Sequence, residues 1–330
     1  MQARGDRDGL LRMLRYSDVV SDTEGRAHDL AADRRLAAAE ALGEQPRDSA
    51  VVAGLVDALE DPAERVRLAA LRSLKEVGDT SAVDPIARSV AESTSAALRA
   101  EAAGALVALG GSSACRAYGL ALMRRGRADA LGPGEEATFK ELRAADDDQG
   151  TGTRRLVDDI LSEASVLGTV PPVALHLLTW IGGDAVDALL KHLKDPSRAA
   201  GAAMGLGAIG DQRALEPLSD LLTSGNPRSR HAAAWSLGQL HDPRAVGALL
   251  RGTNDDNPSV RTEASQALDK LGTIGVVVGV AAVMQRLLPA GLSDESSIDP
   301  LAAIQASSDP STTRSRRFVR DVMDRVVDGL

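Results

Sequence analysis

The chain has 330 residues, a formal net charge of −9 and 44% hydrophobic residues, ample apolar material for one or two domains. Only 2% of residues are aromatic, so burial must come from Ala, Leu and Val; this suits closely packed helices and fits poorly with a sandwich or barrel. The acidic balance and scarce aromatics argue against general nucleic-acid binding, and a single cysteine, Cys115, excludes an internal disulfide framework or a multi-cysteine zinc site.

Of the 38 basic residues only five are Lys, a bias that fits a GC-rich coding sequence. The charged N-terminus lacks the apolar core of a signal peptide. The longest apolar run, residues 274–284, is far short of the roughly 20 residues that span a bilayer. A cytoplasmic protein without membrane insertion is expected.

In chain order, residues 1–30 read as a partial N-terminal cap with a helix at residues 9–16. Residues 31–125 and 171–290 carry a repeat. Asn257-Pro258-Ser259-Val260-Arg261 follows Asn226-Pro227-Arg228-Ser229-Arg230 by 31 residues. Stacking the copies aligns Ala38, Ala70, Ala102, Ala174, Ala202, Ala233 and Ala264. Four residues on stand Leu42, Leu74, Leu106, Leu178, Leu206, Leu237 and Leu268. A third column runs from Gln45 to Leu271, and the three offsets make one helical stripe. Turns follow at Gly78-Asp79, Gly210-Asp211 and His241-Asp242. A second helix then opens, with Pro85 or Pro217 in its first turn, where a missing N–H costs nothing. One such hairpin cannot bury its apolar faces alone, so neighbours must stack.

Residues 126–170 break the period as an irregular insert or degenerate repeat. Helices are expected at 135–145 and 154–167, with a polar loop at 146–153 between them. The loop is no EF-hand, because Val157 stands where the bidentate Glu would be needed. Residues 275–284 read as the second helix of the last repeat. Residues 291–330 read as a linker and a C-terminal capping helix at 315–327, whose Arg314, Arg316, Arg317 and Arg320 fit a solvated face.

The motif from Pro227 to Val246, Pro-x-x-Arg-x-x-Ala-x-x-x-Leu-Gly-x-Leu-x-Asp-Pro-Arg-Ala-Val, resembles the HEAT repeat, in the short form first recognised in phycobilisome bilin lyases. The resemblance covers roughly residues 30–285 and is specific for fold rather than function. It implies an all-α solenoid, a superhelix of about seven helical hairpins. One repeat position carries Arg35, Arg67, Arg99, Arg230 and Arg261, with Ala199 as the exception. A basic ladder for phosphates is one reading. The other, followed here, pairs these Arg with turn acids such as Asp79, Asp211 and Asp242.

No constellation points to catalysis, a cofactor or a metal. Gly205-x-Gly207-x-x-Gly210 matches a dinucleotide fingerprint, but it ends a repeat helix where that fold needs a preceding strand. The five histidines form no helical H-x-x-x-H. Iron-binding hydroxylases built from such repeats hold the metal through His-Glu pairs, and none occurs here. Cys115 reads as a packed thiol rather than a nucleophile.

The expected function is therefore a non-catalytic scaffold or adaptor for a protein partner, with no small-molecule ligand. Resemblance adds two alternatives: a bilin lyase-like chromophore accessory protein, and an archaeal-type taxis or other signalling adaptor. Three surfaces are candidates, the first being the insert at residues 126–170. Trp180, Met204 and Trp235 fall in otherwise polar columns and would form an apolar anchor, unless the insert folds over the rings. The second helices would line the concave side, with Arg213, Glu216, Asp220, Arg244 and Arg251.

Overall fold

The computed structural model describes residues 2–15, 25–126, 131–145, 150–167 and 169–287. Among them are sixteen α-helices and no strand. The first helices are α1 (Gln2–Leu14), α2 (Gly25–Gly43), α3 (Ser49–Asp57), α4 (Glu64–Val77), α5 (Val83–Glu92), α6 (Ala96–Leu109) and α7 (Gly111–Arg125). Then come α8 (Pro133–Ala144), α9 (Thr151–Leu167), α10 (Pro172–Ile181) and α11 (Gly183–His192). The series ends with α12 (Ala199–Ile209), α13 (Leu215–Ser224), α14 (Pro227–Gln239), α15 (Val246–Gly252) and α16 (Pro258–Leu287). The chain is an all-α solenoid, and contacts divide it into two units. Unit 1 is Met1–Ile160 with Pro171–Asp184, and unit 2 is Leu161–Val170 with Ala185–Leu330.

Two helical layers build each unit. In unit 1, α2, α4 and α6 stack in the first layer, and α5 packs on α7 in the second. In unit 2, α12, α14 and α16 form the first layer, while α13 and α15 pair in the second. All seven column alanines and all seven column leucines are buried, none more than 2% exposed. Burial of each leucine contributes about 2 kcal/mol. The alanines let the first helices close in. A β-carbon on Gly207 would lie 2.7 Å from the Cα of Ser236, and one on Gly43 would lie 2.6 Å from Ser73 Oγ. The two serines bond across this contact, Ser73 Oγ to the Ala39 carbonyl and Ser236 Oγ to that of Ala203.

The turns within hairpins share one chemistry. Gly78, Gly210 and His241 take positive φ of 67°, 78° and 51° and end their helices. Asp79, Asp211 and Asp242 follow, each accepting the N–H two residues on and opening a short 3-10 turn. Gly210 thus serves a left-handed cap and Gly207 a close helix contact, which accounts for the dinucleotide-like spacing.

Three expectations change in detail. The N-terminal helix begins at Gln2 rather than residue 9. Arg7, inside the added turns, bridges to Asp48 at the start of α3 and ties the segment down. In the insert, α9 starts at Thr151, so residues 151–153 are helical where a polar loop was expected. The insert helices also enter the two layers of unit 1: α8 packs on α6 and α10, and Gly119 of α7 meets Leu156 of α9. Gly272, at φ 69°, breaks α16 where the last first helix should end. The linker and C-terminal capping helix lie outside the described residues, as do residues 146–149. Cys115 is fully buried in α7. Among the described residues no helix is long and apolar enough to cross a membrane.

Candidate functional site

Arg213, Glu216, Asp220, Arg244 and Arg251 are all exposed in unit 2, but only Glu216, Asp220 and Arg251 stand on second helices, while Arg213 and Arg244 lie in the short 3-10 turns that precede them. Arg213 forks onto Asp211 of its own turn and reaches Asp187 on α11 through Nη1, at 3.0 Å. Arg244 forks onto Asp242, with Nη2 at 2.6 Å. These side-chain bonds hold the Asp211 and Asp242 carboxyls below the usual carboxylate range. Glu216 adds its field to Arg244. Arg213, Glu216 and Arg244 therefore belong to one alternating row of charges. Asp220 sits deeper along α13, in the cleft described below. Arg251 lies apart, in the last turn of α15, where a cation complements the helix dipole.

The tryptophans are half-buried rather than buried. Trp180 belongs to unit 1. Its ring lies 5.9 Å from that of Phe139 on α8, tilted by 42°, so a helix of the insert does pack against it. Met204 and Trp235 belong to unit 2, in the same column of α12 and α14, which pack together. Lys270 Nζ stands 5.8 Å from the Trp235 ring centroid.

The Arg column is structural, but its partners are not the turn acids. Arg67, Arg99 and Arg261 each send Nη1 to two successive carbonyls of the loop preceding their own helix: Asp61 and Pro62, Ser93 and Thr94, Asp255 and Asp256. Arg230 bonds Gly225 in the same way. Arg35 and Arg230 also fork onto Asp61 and Asp255, in the loop leading to the next repeat. Those two acids are nearly buried, at 7% and 10% exposure. The turn acids are already engaged with backbone N–H groups; Arg35 and Arg230 clamp one repeat to the next instead, while Arg67, Arg99 and Arg261 fasten the loop before their own helix.

This correction exposes a site that sequence reasoning missed. Each unit has a cleft between two successive second helices, floored by the starts of two first helices. In unit 1 it measures 310 Å³ and is lined by Val56, Leu59, Arg67, Arg88 and Leu98 among others. In unit 2 it measures 890 Å³ and is lined by Lys191, Lys194, Ala199, Asp220 and Ser229 among others. Ala199 holds the place of Arg67, Asp220 that of Arg88, and Ser229 that of Leu98. At that position Val66, Leu98 and Val260 are buried and apolar, while Arg34 and Arg198 hold it in two other repeats. Ser229 is equally buried, at 1%, and its Oγ has no hydrogen-bond partner. The signal in the sequence was the alanine in the arginine column. Among the described residues no group of three or more His, Cys, Asp or Glu could hold a metal.

The sequence pattern of HEAT repeats matches residues 25–116, 186–269 and 216–317. No curated protein matches the chain. Among solved structures, it is similar to human deoxyhypusine hydroxylase in complex with glycerol, at 21% identity over 82% of this chain and 97% of that one, with a TM-score of 0.33. An engineered protein is similar at 18% identity over 97% and 99% of the two chains, with a TM-score of 0.31. The complex of CpcE and CpcF of phycocyanin lyase from Nostoc sp. is similar at 20% identity over 86% and 94%, with a TM-score of 0.28. The repeat seen first as columns of Ala and Leu, and then as stacked helical pairs, is matched over more than half of the length, and the chain belongs to the HEAT-repeat family.

Proposed function

We propose that the chain is a non-catalytic scaffold or adaptor that binds a protein partner through unit 2. The observation that carries this reading is the exposed row of charges on the second helices and the turns that open them, from Asp187 through Arg213 and Glu216 to Arg244. Its guanidinium groups are held by forked bonds to Asp211 and Asp242, so little side-chain entropy remains to be lost on binding. Charges fixed in this way favour selection of a partner over raw affinity. Half-exposed Trp235 and Met204 add an apolar anchor on the first helices. The motif from Pro227 to Val246 supports the phycobilisome-lyase type of HEAT repeat.

The test is affinity capture of the tagged chain from its own host at native salt, followed by mass spectrometry. A stoichiometric protein partner is expected. It should be lost when Arg244 and Arg251 are both changed to Glu, or on Trp235→Ala, with the helical circular dichroism signal unchanged. A partner retained by both variants overturns the surface. A partner-free chain carrying a bound chromophore or metal overturns the scaffold reading itself.

A further inference from the structure

Across the repeats, one position supplies a guanidinium to the carbonyls of the loop before its own helix, as Arg67, Arg99, Arg230 and Arg261 do. In the repeat of α12 that position is Ala199, which has no side-chain donor. The carbonyls at the corresponding places belong to Leu193 and Lys194, and both residues line the unit 2 cleft. The neighbouring Arg198 does not replace the missing group. One residue's shift turns it roughly 100° around the helix, and its Nη2 bonds Ser162 of α9 at 3.1 Å.

We propose that this vacated position is a receptor for an arginine side chain presented by the protein partner, with acidic residues flanking that arginine. The inference rests on the protein-binding reading above and names what the partner brings. Four features of the cleft favour it. Its 890 Å³ exceeds the 310 Å³ of the equivalent cleft that keeps its own arginine. Asp220 supplies a carboxylate where unit 1 has Arg88, the one acidic acceptor among the lining residues for a guanidinium fork. Ser229 Oγ, buried and without a partner, can accept an incoming N–H. An unbonded buried hydroxyl is costly, and a ligand that satisfies it recovers that cost. Lys191 and Lys194, two of only five lysines in the chain, stand exposed at the rim and suit acids on either side of the entering arginine. A guanidinium, with five donors in a planar fork, can serve carbonyls and a carboxylate together. A lysine ammonium is a compact point charge without that geometry.

The experiment titrates the full chain with acetyl-Glu-Arg-Glu-amide and follows the backbone amide resonances of residues 193–199 and 229. Matched peptides carry citrulline or lysine at the centre, and inorganic phosphate is a fourth probe. The arginine peptide should give saturable shifts in those amides, at an affinity at least about tenfold above that of the citrulline and lysine peptides. Ala199→Arg should abolish the response by filling the position from within. Asp220→Asn, at an exposed site, should weaken it several-fold without touching the fold. Equal response to the citrulline peptide, saturation of the same amides by phosphate, or undiminished binding in Ala199→Arg would overturn the proposal. Its failure separates from that of the scaffold reading: a captured partner that Ala199→Arg retains sinks this inference alone. A chain that binds the arginine peptide but captures no partner sinks the scaffold alone.

Discussion

The clefts of the two units occupy the same place in their repeats and have opposite characters. In unit 1, Arg67 spans the floor to the Asp61 and Pro62 carbonyls, and Leu98 packs beneath it at 3% exposure. Both of those carbonyls are satisfied by the Arg67 guanidinium. In unit 2, Ala199 and Ser229 take those two places and leave a larger cavity with an unbonded hydroxyl. The same backbone architecture therefore uses one cleft for cohesion and leaves its counterpart open. A solenoid tolerates this because each repeat contacts only its neighbours, so a local loss of stability does not spread.

The comparison can be broken most strongly at Leu98. Leu98→Ser would give unit 1 the hydroxyl of unit 2, removing a packed side chain and burying a polar group. A loss of about 3 kcal/mol is expected in urea unfolding. A loss under about 0.5 kcal/mol would mean that the floor of this cleft tolerates polarity, and Ser229 would lose its significance.

The clamp between repeats is the next target. Asp255→Asn removes the carboxylate that Arg230 grips at 2.7 and 2.8 Å and should cost about 2 kcal/mol at neutral pH. The bond from Arg230 holds the Asp255 carboxyl below the usual carboxylate range. Its stabilisation is therefore complete above the ordinary value of about 4 and is lost as pH falls through the lowered one. The variant should lack this part of the acid limb, so its deficit should shrink below pH 4. A deficit constant down to pH 2 would show that packing, and not charge, links the repeats here.

Smaller effects sharpen the contrast. Arg67→Ala should cost about 1 kcal/mol through its two carbonyl bonds. Ser229→Val, which restores the apolar floor in unit 2, should raise stability by about 1 kcal/mol in thermal unfolding. A Ser229→Val variant less stable than the parent would mean that the hydroxyl already has a partner in solution.

Much of the fold could be read from spacing. The Ala and Leu columns lie inside because a repeated unit meets the same neighbours at every step, so burial at one copy implies burial at all. The turns at Gly78, Gly210 and His241 were legible because each is followed by an Asp that can cap. The partners of the arginines were not. Arg230 and Asp255 are 25 residues apart, across a whole hairpin, and nothing in the spacing favours that pairing over Asp242 at twelve. The packing of α8 and α9 with their neighbours was hidden too, since Phe139, Leu142, Leu156 and Ile160 are buried without keeping the column pattern.

The candidate site divides along the same line. Glu216, Asp220 and Arg251 could be assigned to the exposed face of second helices because the 3.6-residue period fixes which face of a helix is wet, whereas Arg213 and Arg244 lie in the 3-10 turns just before them. Their bonding to Asp187, Asp211 and Asp242 could not, since guanidinium direction depends on rotamers and on the neighbouring repeat. Ala199 was visible as an exception, yet an alanine in a column of arginines has no meaning until the volume around it is known. Sequence alone determined the repeat, its inward face and its turns, because those follow from local periodicity and backbone geometry. Only the tertiary structure decided which cleft is filled and which is open, because that depends on side chains brought together from four separate helices.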